Sequence, residues 1–160
     1  MGMICKDGVL LGTEKLIVSE MMVSGSDRRV YSVTKQIGMV ITGLLPDGRC
    51  LIDRAKEESA SFQKQYGIPI TGKVLADRIA QFMHMNTIYL WARPYGCNII
   101  IAAFDEVTGP SMHLIDPSGQ CYGYFGCAAG KGRQIARNEI EKLNPKNLTC
   151  KEAAFNLAKM

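Results

Sequence analysis

No apolar run in this 160-residue chain approaches the ~20 residues a membrane-crossing helix needs, so the sequence predicts no membrane partner. Basic tracts are missing too. Arg28-Arg29 is the only adjacent basic pair and the net charge of +4 is dispersed, which argues against a nucleic-acid partner. The two histidines, His84 and His113, stand alone. The six cysteines, at 5, 50, 97, 121, 127 and 150, include no Cys-x-x-Cys pair, so neither a zinc site nor a disulfide framework fits their spacing. Most of them sit inside apolar runs, the pattern of free thiols in a reducing compartment. Met1-Gly2-Met3-Ile4-Cys5 lacks the charged head and long apolar core of a signal peptide, and the expected location is cytoplasm and nucleus. Without an internal repeat, low-complexity tract or composition shift, residues 1–160 read as a single domain.

What is present is a change of period. Met1 to Cys5 and Val9 to Glu14 read as strands joined by the turn Lys6-Asp7-Gly8. Val30 to Val33 and Ile37 to Gly43 read as a second strand pair beyond the loop Ser24–Asp27. From Asp47 to Tyr66 the spacing becomes helical: Leu51, Ala55, Phe62 and Tyr66 form one stripe, while Asp53, Arg54, Lys56, Glu57 and Glu58 face away. A second helix is predicted from Thr71, its N-cap, to about Trp91, with Leu75, Ile79, Phe82, Asn86 and Tyr89 inward. Strands follow at about 97–104, 111–115 and 120–127, then helices over Gly130–Leu143 and Thr149–Met160. Ala153, Ala154, Leu157 and Ala158 form the apolar side of the last helix, and Thr149 stands three residues before Glu152, a capping-box spacing. Strands, two helices, strands, two helices predict an α+β fold of four layers, α-β-β-α, with antiparallel sheets.

Arg93 to Gln134 carries the most specific pattern. Arg93-Pro94-Tyr95-Gly96-Cys97 leads into Ile99-Ile100-Ile101, and Leu114-Ile115-Asp116-Pro117-Ser118-Gly119 supplies a turn in which proline presets φ and glycine takes a conformation other residues resist. Tyr122-Gly123-Tyr124-Phe125-Gly126-Cys127 then carries glycines at which a helix can approach closely. With Glu139-Ile140-Glu141-Lys142-Leu143, this ordered set resembles the proteasome alpha-type subunits over essentially the whole chain. The resemblance implies the N-terminal-nucleophile hydrolase sandwich, here without the family's N-terminal gating extension and its elements beyond the fourth helix. It implies a noncatalytic structural subunit of a threonine-type endopeptidase complex, acting in ubiquitin-dependent degradation through alpha-ring assembly, gating of substrate access and activator docking. The partners it implies are other alpha subunits in a heptameric ring, beta-ring subunits and activator particles; it implies no cofactor and no metal.

Catalysis in this fold needs an N-terminal Thr, Ser or Cys facing the gap between the sheets. No threonine precedes Lys6-Asp7-Gly8, and Cys5 is the one candidate, so an active amidohydrolase using Cys5 after processing is the alternative reading. Catalytic relatives carry an aspartate where this chain has Glu14 and a lysine where it has Arg29, and a guanidinium cannot serve as base. Gly126 to Gly132 lacks the Ser or Thr and the glycine spacing of a phosphate loop, leaving close strand–helix packing as its reading. The resemblance also places Arg29 at the base of a pocket that receives an activator's C-terminal carboxylate, with Gly43 and Leu44 as walls; a solvated Arg28-Arg29 pair is the competing reading. Met83, Met85 and Tyr89 on the second helix are candidates for subunit contact, and the core is the other place that would take them. Arg93 is a further interface candidate within a segment read as structural.

Overall fold

The computed structural model describes residues 1–159 apart from Leu16, Ser24 and Val107. Short apolar segments pair as two antiparallel sheets. β1 (Gly2–Cys5) and β2 (Gly8–Leu11) form a hairpin with Cys5 opposite Gly8 and Gly2 opposite Leu11, and β8 (Gly126–Cys127) covers the other edge of β1. The second sheet runs in chain order: β3 (Val30–Ser32), β4 (Ile37–Gly43), β5 (Cys97–Asp105), β6 (Gly109–Ile115) and β7 (Cys121–Gly123). Two helices, α1 (Leu45–Tyr66) and α2 (Gly72–Ile88), cover the outer face of this sheet. On the other side, α3 (Arg133–Leu143), a 3₁₀ turn at Pro145–Asn147 and α4 (Cys150–Leu157) cover the three-stranded sheet.

Three apolar layers follow from the pleat. Met39, Ile41, Ile99 and Ile101 meet Leu51, Leu75, Ile79 and Met83 of the first helix pair. Their neighbours Val40 and Ile100 point the other way and meet Met112 and Cys127 between the sheets. Met3, Cys5, Ile140 and Ala153 form the third layer, under α3 and α4. The predicted four-layer α+β arrangement is the one observed. Because β4 and β5 are buried on both faces, their central residues, Met39-Val40-Ile41 and Ile99-Ile100-Ile101, read as continuous apolar runs rather than alternating ones.

Boundaries moved where side chains compete for the backbone. α2 stops at Ile88 rather than near Trp91, since Asn86 Nδ2 donates to the Phe82 carbonyl at 2.9 Å and the Thr87 hydroxyl to that of His84 at 2.7 Å. Thr71 is its N-cap by position, but its hydroxyl caps nothing. α3 starts at Arg133, because Gly130 has φ of +115° and lies outside helical space. The segment predicted as one strand, 120–127, belongs to two sheets. Tyr124 N–H donates to Met112 of the larger sheet at 3.0 Å, and the Phe125 carbonyl accepts from Ile4 of the smaller one at 2.8 Å. Glu58 does not face away: Arg78 of α2 donates to it at 2.9 Å and Arg54 pairs with it from within α1. Tyr66 is exposed, as are Ala154 of α4 and Ala158 just after it, and the buried contact of this helix is Ala153. The capping box is as predicted: Glu152 N–H donates to the Thr149 hydroxyl, and Thr149 N–H to the Glu152 carboxylate. Met160 of the predicted helix and Ser24 of the predicted loop lie outside the described residues.

Gly48, inside α1, sits where a Cβ would stand 2.1 Å from Ile41 Cγ2. Alanine there raises helix propensity by roughly 1 kcal/mol, but overpacking costs about 1–3 kcal/mol. Gly48→Ala is therefore expected to lower the midpoint of urea unfolding, and an unchanged or raised midpoint would show that α1 lies further from β4.

Candidate functional site

The pleat of β1 decides which of its side chains reach the gap between the sheets. A Cβ on Gly2 would lie 2.5 Å from Met112 Sδ and 3.2 Å from Ile100 Cγ2, so Gly2 faces the gap and the gap is filled there. Ile4 packs into the same layer, whereas Met3 and Cys5 point to the opposite face, under α3 and α4. Cys5 is 3% exposed, and its burial pushes the thiol's pKa up, away from the thiolate form a nucleophile needs. Neither orientation nor protonation suits Cys5 for the alternative reading as an amidohydrolase nucleophile, and nothing in the fold favours that reading. Glu14 is exposed, away from any such role.

The strongest polar constellation lies at the start of α1. Asp47, in its first turn and 7% exposed, accepts two bonds from the Arg93 fork, at 2.6 and 2.7 Å, and a third from Gly96 N–H at 2.9 Å. Leu44 N–H donates to the Gly96 carbonyl at 2.9 Å, closing a loop between helix and strand. The Arg93 guanidinium, then the Gly96 N–H, hold the Asp47 carboxyl down to about 2. Tyr95 packs its ring on Phe82 at 5.9 Å, and burial, with Cys50 beside its hydroxyl, pushes it up to about 12. This cluster buckles α1 to the segment leading into β5; the sequence pattern showed Arg93-Pro94-Tyr95-Gly96 as structural, but the carboxylate partner 46 residues earlier was missed. An acidic residue just after Leu45-Pro46 at a helix start was the available signal.

Of the predicted pocket residues, Gly43 ends β4 and Leu44 follows it, while Arg29 is placed beside that strand by its backbone. Ile41 N–H donates to the Arg29 carbonyl at 3.0 Å, which sets Arg29 beside the strand that continues into Thr42, Gly43 and Leu44. Arg29 Nε and Thr42 Oγ1 are both buried without a hydrogen-bond partner among the described residues, and Leu44 is 56% exposed. Gly43 has φ of +113°, and a Cβ there would stand 2.4 Å from the Gly96 carbonyl oxygen, so only glycine fits. Of the interface candidates, Met83 is wholly buried in the core and leaves the surface set, while Met85 and Tyr89 are exposed beside Leu90 and Trp91, with Tyr89 stacked on Trp91 at 4.8 Å. Arg93 is outward but its fork is engaged by Asp47. His84 meets the Ser118 carbonyl at 3.1 Å on the surface. Gly126 lets Ile140 of α3 come within 2.6 Å of where its Cβ would be, while Gly123 has no contact closer than 3.8 Å.

Two antiparallel sheets stacked between helix pairs, with the first strand lining the gap, define a sandwich of the N-terminal-nucleophile hydrolase type. The chain belongs to the proteasome subunit family, whose model matches residues 1–160. It is similar to proteasome subunit alpha type-3 of Oryza sativa subsp. japonica, at 50% identity over 99% of this chain and 64% of that protein. It is also similar to proteasome subunit alpha type-3 of Arabidopsis thaliana, 47% identical over 99% of this chain and 64% of the relative. The Dictyostelium discoideum protein of the same description is 47% identical over 97% of this chain and 62% of its own length. The chain thus spans just under two thirds of these relatives.

The clamp has a pH signature. Asp47 titrates at about 2 when folded, against 3.8 ordinarily, so its contribution to stability is fully present above about pH 4 and is lost as pH falls towards 2. Asp47→Asn is expected to lower the urea midpoint at pH 7 and to flatten its decline between about pH 4 and pH 2. Parallel curves for the two proteins across that range would refute the assignment.

Proposed function

We propose that this chain is a noncatalytic structural subunit of the 20S proteasome alpha ring, contributing to ring assembly, gating of substrate access and activator docking in ubiquitin-dependent protein degradation. One observation carries the noncatalytic part: in a chain of this family, the gap-facing positions of β1 are Gly2 and Ile4, with no nucleophilic atom. The names of its relatives as alpha-type subunits support the ring. Its partners are other alpha subunits in a heptameric ring, beta-ring subunits and activator particles, and its place is the cytoplasm and nucleus, a reducing setting that suits its six free cysteines. Subunit contact is supported by the exposed apolar group Met85, Ile88, Tyr89, Leu90 and Trp91 at the end of α2, more than scattered surface residues explain.

Arg29, Gly43 and Leu44 form the pocket for an activator's C-terminal carboxylate in this reading. Arg29 Nε, buried and without a hydrogen-bond partner among the described residues, supports it, since a desolvated guanidinium N–H is stabilised by an anionic acceptor.

The chain, expressed with alpha-subunit partners, is expected to appear by electron microscopy in seven-membered rings and to hydrolyse no fluorogenic peptide. A strictly monomeric chain at high concentration, or hydrolysis that disappears in Cys5→Ala, would overturn the reading. In the assembled ring, Arg29→Ala should weaken binding of a peptide bearing a free C-terminal carboxylate by roughly 10- to 100-fold, the worth of one charge-assisted contact. Equal binding of the C-terminally amidated peptide to the unmodified ring would remove the carboxylate from the account.

A further inference from the structure

Two of the six thiols meet on the outer side of the three-stranded sheet. Cys5 ends β1, and Cys150 is the first residue of α4, 145 positions later in the chain, yet both belong to the same apolar layer. Their approach is fixed by backbone on both sides. Lys6 N–H donates to the Leu148 carbonyl at 2.9 Å, and Cys150 N–H donates to Asp7 Oδ1 at 2.7 Å, so the turn after Cys5 grips the start of α4. Gly8 is the residue directly opposite Cys5 in the hairpin, and Cys150 Sγ lies 3.4 Å from where a Cβ on Gly8 would be. The Cys150 sulfur therefore packs against the residue opposite Cys5, and the two thiols are near enough to act on each other. A disulfide needs about 3.5–4.5 Å between Cβ atoms, an approach that bond formation requires of α4's first turn.

We infer that Cys5 and Cys150 are a disulfide-forming pair, which on oxidation by a low-molecular-weight disulfide such as glutathione disulfide pins α4 covalently to the β1–β2 hairpin. The half-buried Cys150 reacts first. Its thiolate attacks one sulfur of glutathione disulfide, the glutathione S–S bond breaks, and one glutathione leaves as thiol with the proton Cys150 gives up. Cys5, as thiolate, then attacks Cys150 Sγ; the protein S–S bond forms and the second glutathione leaves with Cys5's proton. Two protein thiols are oxidised and one glutathione disulfide is reduced to two glutathiones. Burial pushes the Cys5 thiol up, and burial with a hydrogen bond to Asp7 pushes Cys150 up to about 12. The resting pair is therefore slow to react, and responds to a sustained oxidising poise rather than to a brief one. Cys50 provides an internal contrast: it is exposed, so glutathione disulfide reaches it before it reaches the buried Cys5. The inference does not depend on the proposed ring function, because every contact in it lies within this chain.

The test uses the full chain, reduced, freed of reductant and incubated with glutathione disulfide, then alkylated after unfolding and mapped by peptide mass. The expected result is a peptide containing Cys5 linked to one containing Cys150, with glutathione on Cys50, and a urea midpoint that rises on oxidation. In Cys150→Ser the link and the rise both disappear, and in Cys5→Ala a glutathione adduct accumulates at Cys150, which keeps the proposal testable if one variant folds poorly. A stable glutathione adduct on Cys150 in the unmodified chain, with Cys5 still alkylatable, would overturn it. So would the absence of the linked peptide after incubation prolonged until Cys150 itself can no longer be alkylated.

Discussion

The pleat of a four-residue strand governs much of this molecule. β1 is the middle strand of its sheet, with one face on the gap between the sheets and the other on the α3–α4 layer. Alternation leaves no freedom once the register is set: Gly2 and Ile4 go to the gap, Met3 and Cys5 to the outer layer. A slip of one residue would put the Cys5 thiol into the gap and Ile4 under α4. The register is held on both edges, by β2 along the whole strand and by β8 at Gly2 and Met3. It is held a third time by the Ile4 N–H to the Phe125 carbonyl, the point at which the crossing segment changes sheets. Chemistry that a member of this fold performs in the gap is therefore excluded from Cys5 by geometry before its protonation state matters.

A second constraint ties the helix layer to the larger sheet. An apolar helix face alone would let α1 slide along β4, since hydrophobic contact is non-directional. Asp47 removes that freedom, because a bidentate guanidinium and a backbone N–H fix a carboxylate in both position and plane. Gly48, the next residue, allows the approach that the clamp enforces, and Gly43, with its left-handed φ, turns the chain from strand to helix there. Helix α2 is joined to α1 by a different device, Glu58 held between Arg54 and Arg78, whose guanidinium groups also lie over the rings of Phe82 and Phe62. Polar groups here specify registration, while the buried aliphatic side chains supply the adhesion.

Much of this was legible in the sequence, for reasons that differ by element. The four layers could be read because each helix and strand keeps its own hydrophobic period, and the capping box because its two residues are three apart. The turn Asp116-Pro117-Ser118-Gly119 was local too, and Gly119 takes φ of +86° as that position requires. What escaped was set by distant partners. Glu58 reads as solvent-facing on an α1 helical wheel, and only Arg78, 20 residues away, gives it an interior role. The segment 120–127 has the composition of one strand; that it changes sheets between Tyr124 and Phe125 depends on where β1 lies. Asp47 looked like an ordinary first-turn acid until Arg93 reached it. Of the candidate site, the grouping of Arg29, Gly43 and Leu44 was proposed from a family pattern and not from any local signal, and Met83 could be placed in the core only once α2's rotation was known.

The two helical layers are unequal, and the inequality bears on where the fold can be adjusted. α1 and α2 bury Leu51, Ile52, Leu75, Ile79 and Met83 almost completely, whereas α3 buries Ile140 and α4 buries Ala153. At about 25 cal/mol per Å² of apolar area removed from water, one isoleucine and one alanine hold their helices far less firmly than five large side chains do. The outer layer compensates with directional contacts: Asp7 on the first N–H of α4, the Lys6–Leu148 backbone bond, the Thr149–Glu152 box and Leu157 against Gly12. Such contacts are short in range and open one at a time, so this layer belongs to the low-stability end of the molecule, where small changes in bonding shift populations most. The larger sheet with α1 and α2 is then the rigid body, and the α3–α4 layer is the part whose docking other interactions can bias.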